Sequence, residues 1–288
     1  MDTAKPGSGP TVLRILLGSQ LRRLREAKGL SRGEAGYTIR ASESKMSRLE
    51  LGRVSFKERD VADLLILYGV TGADERDALL SLARQANQPG WWHRYSDVLP
   101  AWFQAYVGLE AAATRIRTYE AHLIPGLLQT EDYARAVTTL GMPDAPPEEI
   151  ERRVSLRMTR QQVLTRPDAP RLWAVVDEAA LRRPLGGPEV MAAQLEHLIA
   201  ATKLPNATLQ VMPFRFGGHA GEGQPFVIFR FADPDLPDVV YLEQLTSALY
   251  LDKREDVDHY AGVMDRLSVQ AEAPDTTIDI LSGMLREA

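Results

Sequence analysis

The chain has 288 residues, 44% apolar and 25% charged, with a mean hydropathy of −0.22, which leaves room for two domains of ordinary size. It has no cysteine, which excludes disulfides and thiolate metal sites, and no apolar run nears the roughly 20 residues of a membrane span. The net charge of −5 is unevenly spread: residues 1–59 hold 13 Lys and Arg against 6 Asp and Glu, and residues 89–288 hold 19 against 28.

That asymmetry suits a basic DNA-binding head on a body that does not bind DNA, although chance clustering of solvated charge gives the same sums. The stretch MDTAKPGSGPT lacks the charged-then-apolar plan of a secretion signal. Residues 1–10 are therefore expected as a flexible tail and the protein as cytoplasmic. Leu13, Leu17, Leu21 and Leu24 share one helical face and predict a helix over Val12–Lys28, closed by Gly29.

Ser31–Tyr37 and Ser42–Glu50 read as two short helices joined by the turn Thr38–Ala41. The hydroxyls of Ser31 and Ser42 are placed to cap them. Met46 and Leu49 fall on one face of the second helix, and Glu43, Ser44, Ser47 and Arg48 on the other, with Lys45 on the flank. Two apolar anchors behind a donor-rich face suit insertion into a major groove. A solvated surface hairpin would carry the same pattern.

The flanking runs LREAKGLS and SRLELGR, taken with these helices, resemble the Xre (lambda-repressor-like) helix-turn-helix family. The resemblance implies an all-α, five-helix DNA-binding domain over residues 11–88, with Ser42–Glu50 as its recognition helix. It further implies that Arg32 touches phosphate and that Glu43, Ser44 and Arg48 face base edges, beside Lys45 and Ser47. Arg25 and Glu50 match the family's bracing ion pair. Two residues depart from its pattern. Gly36 stands where alanine is usual, and Arg40 where the turn glycine is usual.

Arg53 and Lys57, in the loop after the recognition helix, are candidates for phosphate clamps or simply a solvated basic loop. Helices over Glu58–Tyr68 and Ala73–Ala86 complete the predicted head. Asn87-Gln88-Pro89-Gly90 marks a domain boundary, with a second domain over residues 89–288.

An aromatic cluster follows: Trp91, Trp92, Tyr95, Trp102, Phe103 and Tyr106. Packing is the preferred reading, and a ligand or partner pocket the other. A strand over Ile116–Ile124 then meets the turn Pro125-Gly126, and Thr130 can cap a helix from Glu131. The segments Tyr119-Glu120, Pro125–Thr130, Tyr133-Ala134-Arg135 and Tyr241-Leu242-Glu243 are similar to the C-terminal domain of unknown function (DUF5753-like) of a large actinobacterial regulator family. That resemblance implies an antitoxin-like regulator paired with a small acidic or basic partner protein.

A helix over Glu148–Thr165 carries Arg152, Arg153, Arg157 and Arg160, preferred as a solvated face over a DNA or acidic-partner contact. Strands at Leu172–Val176, Thr208–Met212, Phe226–Phe231 and Val239–Leu242 mix with helices at Pro188–Thr202, Arg254–Gln270 and Thr276–Glu287. With no regular βαβ repeat apparent, the body is expected to be α+β around a largely antiparallel sheet. His219 and Glu222, in a loop with four glycines, could pair as acid and base, but a flexible hairpin loop is preferred. The other histidines lack metal-ligand spacing, and no nucleophile-elbow, HExxH or phosphate-loop run occurs.

The expectation is therefore a DNA-binding regulator rather than an enzyme, needing no cofactor or metal. It would bind a palindromic duplex operator as a homodimer, with no membrane association. A body that senses a small molecule is the alternative, and Trp91, Trp92, Tyr95, Trp102, Tyr106, His219 and Glu222 are the candidate residues of a ligand or partner pocket.

Overall fold

The computed structural model describes residues 10–221, 224–233 and 236–287. The expected tail, apart from Pro10, lies outside these residues, as does Glu222. Two compact units emerge. The first runs through Arg94 and adds Gln104–Ala112 and two residues of a later loop, Asp233 and Leu236.

The first unit is helical: α1 (Pro10–Ala27), α2 (Arg32–Thr38), α3 (Glu43–Glu50), α4 (Glu58–Leu67) and α5 (Ala73–Ala86). Proline at the first position of α1 gives up an N–H that the first turn leaves unpaired anyway. Leu17 and Leu21 of α1, Met46 and Leu49 of α3, and Leu64 and Leu65 of α4 meet in one core. Burying each such side chain stabilises the fold by about 1.5–3 kcal/mol. The division expected at Gln88–Pro89 differs from the packing seen. The helix α6 (Ala101–Ala112) sends Gly108 so close to Thr11 that a Cβ there would meet its Oγ1 at 1.9 Å.

The second unit holds strands β1 (Arg115–Glu120), β2 (Arg171–Asp177), β3 (Ala207–Met212), β4 (Phe226–Arg230), β5 (Val239–Glu243) and β6 (Ala248–Leu251). Its helices are α7 (Glu131–Gly141), α8 (Pro147–Gln161), α9 (Glu178–Arg182), α10 (Pro188–Ala201), α11 (Arg254–Gln270) and α12 (Pro274–Glu287). Among the described residues the strands form one mixed sheet, mostly antiparallel, in the order β3-β2-β1-β4-β5-β6. Tyr119, Val175, Phe226 and Val240 on one face pack with Val257, Met264 and Leu267 of α11.

The expectation of no βαβ repeat is corrected. β1 pairs parallel with β2, and β2 parallel with β3, across helical crossovers; the antiparallel pairings begin only at β4. The crossover from β1 to β2 carries both α7 and α8, which hides the repeat from a reading of spacing. β6 is a further strand that the sequence pattern did not mark.

The segment Pro125–Thr130, opaque as sequence, is a hydrogen-bond junction. Gln161 of α8 donates to the carbonyls of Gly126 (3.0 Å) and Gln129 (2.7 Å). Gln194 of α10, fully buried, donates to Leu128 O and accepts from Thr130 N–H, each at 2.7 Å. Gln129 itself donates to Ile124 O at 2.7 Å and accepts from Arg157 at 2.6 Å. Ile124 also donates its N–H to the buried Tyr133 hydroxyl at 3.2 Å. Side chains thus take both backbone groups of Ile124, and β1 stops at Glu120 rather than at Ile124, the end expected for it. A buried network satisfied on this scale fixes one packing arrangement of the elements it joins.

Candidate nucleic-acid interface

α2 opens with a reciprocal cap: Ser31 Oγ accepts from Glu34 N–H at 3.2 Å and Glu34 Oε2 accepts from Ser31 N–H at 2.8 Å. α3 opens with Ser42, whose Oγ accepts from Lys45 N–H at 3.2 Å. Between the helices Arg40 has φ 53°, the left-handed region that favours glycine, so this turn does hold a strained residue. Gly36 accepts N–H bonds from Ile39 (3.1 Å) and Ala41 (2.8 Å), folding the turn back onto α2.

Met46 and Leu49 are buried and pin α3 to the core. On its outer side Glu43, Ser44 and Arg48 are exposed and, among the described residues, their side chains make no hydrogen bond or ion pair. Lys45 and Ser47 are half-buried, and Lys45 Nζ lies 3.7 Å from Asp60 of α4. Arg53 and Lys57 are exposed in the following loop. A short helix therefore carries two donors and an acceptor outward on a rigid base, which is what reading base edges requires.

Glu50, 3% exposed, ties the helices together. Arg25 of α1 donates to it from Nε (2.5 Å) and Nη2 (3.1 Å) and also reaches Leu30 O at 2.7 Å. The hydrogen bond to Glu50 raises the Arg25 guanidinium above its ordinary range. Arg32, expected on phosphate, donates its Nε to Glu50 Oε2 at 2.9 Å. Its observed contact is to the brace, a pairing between residues far apart in sequence that no local pattern announces. Tyr37, 87% exposed on α2, is a polar-tipped aromatic on this head that sequence reasoning passed over. Only its place beside the turn could have drawn notice.

Of the candidate pocket residues in the second unit, Tyr95, Trp102 and His219 line neither of the two cavities described below. Trp92 and Tyr95 are buried, and Tyr95 OH bonds Ser155 Oγ (3.1 Å) and Thr159 Oγ1 (3.2 Å) on α8, so packing is the part these aromatics play. Trp102 gives its carbonyl to Tyr250 OH at 2.6 Å. Trp91 is 38% exposed and meets Trp92 edge-on. Tyr106 lies on α6. Two cavities of the second unit have other linings: one runs along α7 and the Pro184–Gly186 turn, the other between α7, α8 and Val98–Phe103.

His219 does not sit in an open loop. Its Nε2 is 3.2 Å from Tyr119 OH and 3.4 Å from Asp177 Oδ2, and its Nδ1 accepts from Gly221 N–H at 3.2 Å. Burial raises the Tyr119 phenol above its ordinary range. The arginines of α8, expected on a solvated face, are engaged as well: Arg152 with Asp97, Arg153 with Glu149, Arg157 with Gln129, and Arg160 over the Phe103 ring. No cluster of three or more His, Asp or Glu that could hold a metal occurs among the described residues, and no helix there is long and apolar enough to cross a membrane.

Comparison with protein-family models gives two matches. A model described as a helix-turn-helix domain matches residues 16–79, and one described as a domain of unknown function, DUF5753, matches residues 103–283. No curated protein and no solved structure matches the chain.

Proposed function

The chain belongs to the DUF5753 family, a domain of unknown function, and carries a helix-turn-helix domain; from that premise we propose a sequence-specific transcriptional regulator of the Xre type. The observation that carries this reading is α3, with Met46 and Leu49 buried and Glu43, Ser44 and Arg48 turned outward. Phosphate contacts from Arg53 and Lys57 would set register, and base contacts from α3 would set sequence. One such helix reads only about four base pairs, so a homodimer on half-sites about 34 Å apart is the arrangement that gives genomic specificity. The reading is that of a cytoplasmic regulator, not an enzyme.

The test is a footprint and affinity measurement on DNA selected from a genomic pool. Arg48→Ala should weaken specific binding by about 1–3 kcal/mol and relax one position per half-site. Lys57→Ala should weaken all sequences alike and lower the salt slope by about one unit. An Arg48→Ala protein with the same footprint and affinity overturns the docking.

For the body we propose the antitoxin-like role, receiving a small partner protein. What supports it is the resemblance together with two exposed apolar side chains, Leu249 on the edge strand β6 at 53% and Leu245 in the turn before it at 103%. A second reading, small-molecule sensing, is favoured by the cavity between α7 and α8. Purification from the native host separates them: a stoichiometric small protein supports the first, a bound metabolite the second.

A further inference from the structure

The cavity between α7, α8 and Val98–Phe103 has a volume of about 210 Å³. Arg153, Arg157 and Arg160 line it beside Leu99, Phe103 and Leu156, and no carboxylate residue does. Arg160 is 6% exposed and stacks over the Phe103 ring at 5.0 Å. Arg153 pairs along its own helix with Glu149 at 2.8 Å, an acid outside the lining, and Arg157 and Arg160 have partners of their own. Positive charge on a partly apolar wall attracts an anion more strongly than the same charge in open water.

The apolar half of the lining sets a second requirement. Leu99, Phe103 and Leu156 gain little from a bare inorganic ion and more from an anion with a hydrocarbon body. The volume lies below the roughly 300 Å³ at which pockets for drug-sized ligands begin, so that body is small. We propose that this cavity binds a small organic carboxylate. The carboxylate lies toward Arg153 and Arg157, and the apolar or aromatic body lies against Leu99, Phe103 and Leu156.

The site has a connection to the rest of the body. Arg157 also donates to Gln129, and Arg160 lies where a Cβ on Gly126 would touch it at 3.6 Å. A bound anion competes with Gln129 for Arg157 and so acts on the Pro125–Thr130 junction, which α8 and α10 share. This inference rests on the sensing reading, but the experiment reads binding separately from regulation.

Benzoate is the probe, titrated calorimetrically into the full chain, with benzyl alcohol as its uncharged counterpart and inorganic phosphate as the bare anion. Benzoate should saturate one site, with both controls at least about tenfold weaker, the difference expected for a charge-assisted pair. Arg153→Met, a half-exposed position, should lose about tenfold in benzoate affinity while melting like the parent. Leu156→Trp, which fills the cavity, should abolish saturation. The site is overturned if benzoate shows no saturable binding, if benzyl alcohol binds as well, or if both variants keep full affinity. Benzoate binding with these features but no effect on DNA affinity leaves the site standing and removes the sensing reading. DNA binding that responds to other metabolites while benzoate fails to bind removes the site and keeps the sensing reading.

Discussion

A Cβ on Gly36 would come within 2.6 Å of the carbonyl oxygen of Ala41, backbone that cannot step aside without opening the helix-turn-helix turn. The alanine usual in the Xre family therefore does not fit here, although alanine favours a helix by about 1 kcal/mol over glycine. Overpacking costs about 1–3 kcal/mol and should win. Gly36→Ala is expected to lower stability by about 1–2 kcal/mol, read by urea unfolding of the head. A gain in stability would show that the turn can shift.

Arg40 is the companion departure. Its φ of 53° costs a residue with a Cβ about 1–2 kcal/mol, and a glycine there gives part of that back as unfolded-state entropy. Arg40→Gly should raise stability by about 0.5–1 kcal/mol. If Gly36→Ala is tolerated better in the Arg40→Gly background, the two positions are coupled through the Gly36–Ala41 contact, as a double-mutant cycle would measure.

Glu50 is buried between Arg25 and Arg32, so removing its charge leaves Arg25 enclosed with only the half-exposed Glu26, 3.3 Å away, as a carboxylate partner. Breaking a buried pair on one side costs about 3–5 kcal/mol. Glu50→Gln keeps one acceptor and should fall near the low end, about 3 kcal/mol, with faster amide exchange in α1 and α3. Wild-type exchange in that variant would mean the brace contributes little.

The head was legible because its signals are local. Ser31, Ser42 and the leucine spacing of α1 each act within a turn or two of where they stand, and the helices lie close to where those residues put them. The body was legible only in pieces. Its strands were found from their apolar runs, save the four residues of β6, but parallel pairing depends on crossovers tens of residues long that carry no register in their composition. The same limit hid the sites: Arg32 on Glu50, and Tyr119 with Asp177 and His219, are contacts between distant segments. Pro125–Thr130 could be recognised as a motif but not explained, since its partners Gln161 and Gln194 lie on helices that come much later in the chain.

Gln194 offers the cleanest test of that junction. It is fully buried and serves Leu128 O and Thr130 N–H at once. Gln194→Leu keeps most of the volume but leaves one buried carbonyl and one buried N–H unpaired, each costing about 1–3 kcal/mol. A loss of about 2–6 kcal/mol in the body's stability is expected, against little change for the head. A neutral result would show that water replaces the amide.

Glu120, at the end of β1, accepts only from Thr118 Oγ1 at 3.3 Å among the described residues. Burial first, and then the neighbouring Glu243 carboxylate, push its acid up to about 8 from 4.5. Because the folded state holds this proton more tightly than the unfolded chain, its contribution is fully present below about 4.5 and is lost as pH rises toward 8. The body should therefore lose stability across that window, by an amount on the order of 5 kcal/mol at most. Glu120→Gln keeps the shape without the titration, so it should flatten this slope and be more stable than the parent at pH above 8. Thermal unfolding of both proteins at several pH values between 5 and 9 decides it, and parallel curves would place the charge of Glu120 in water.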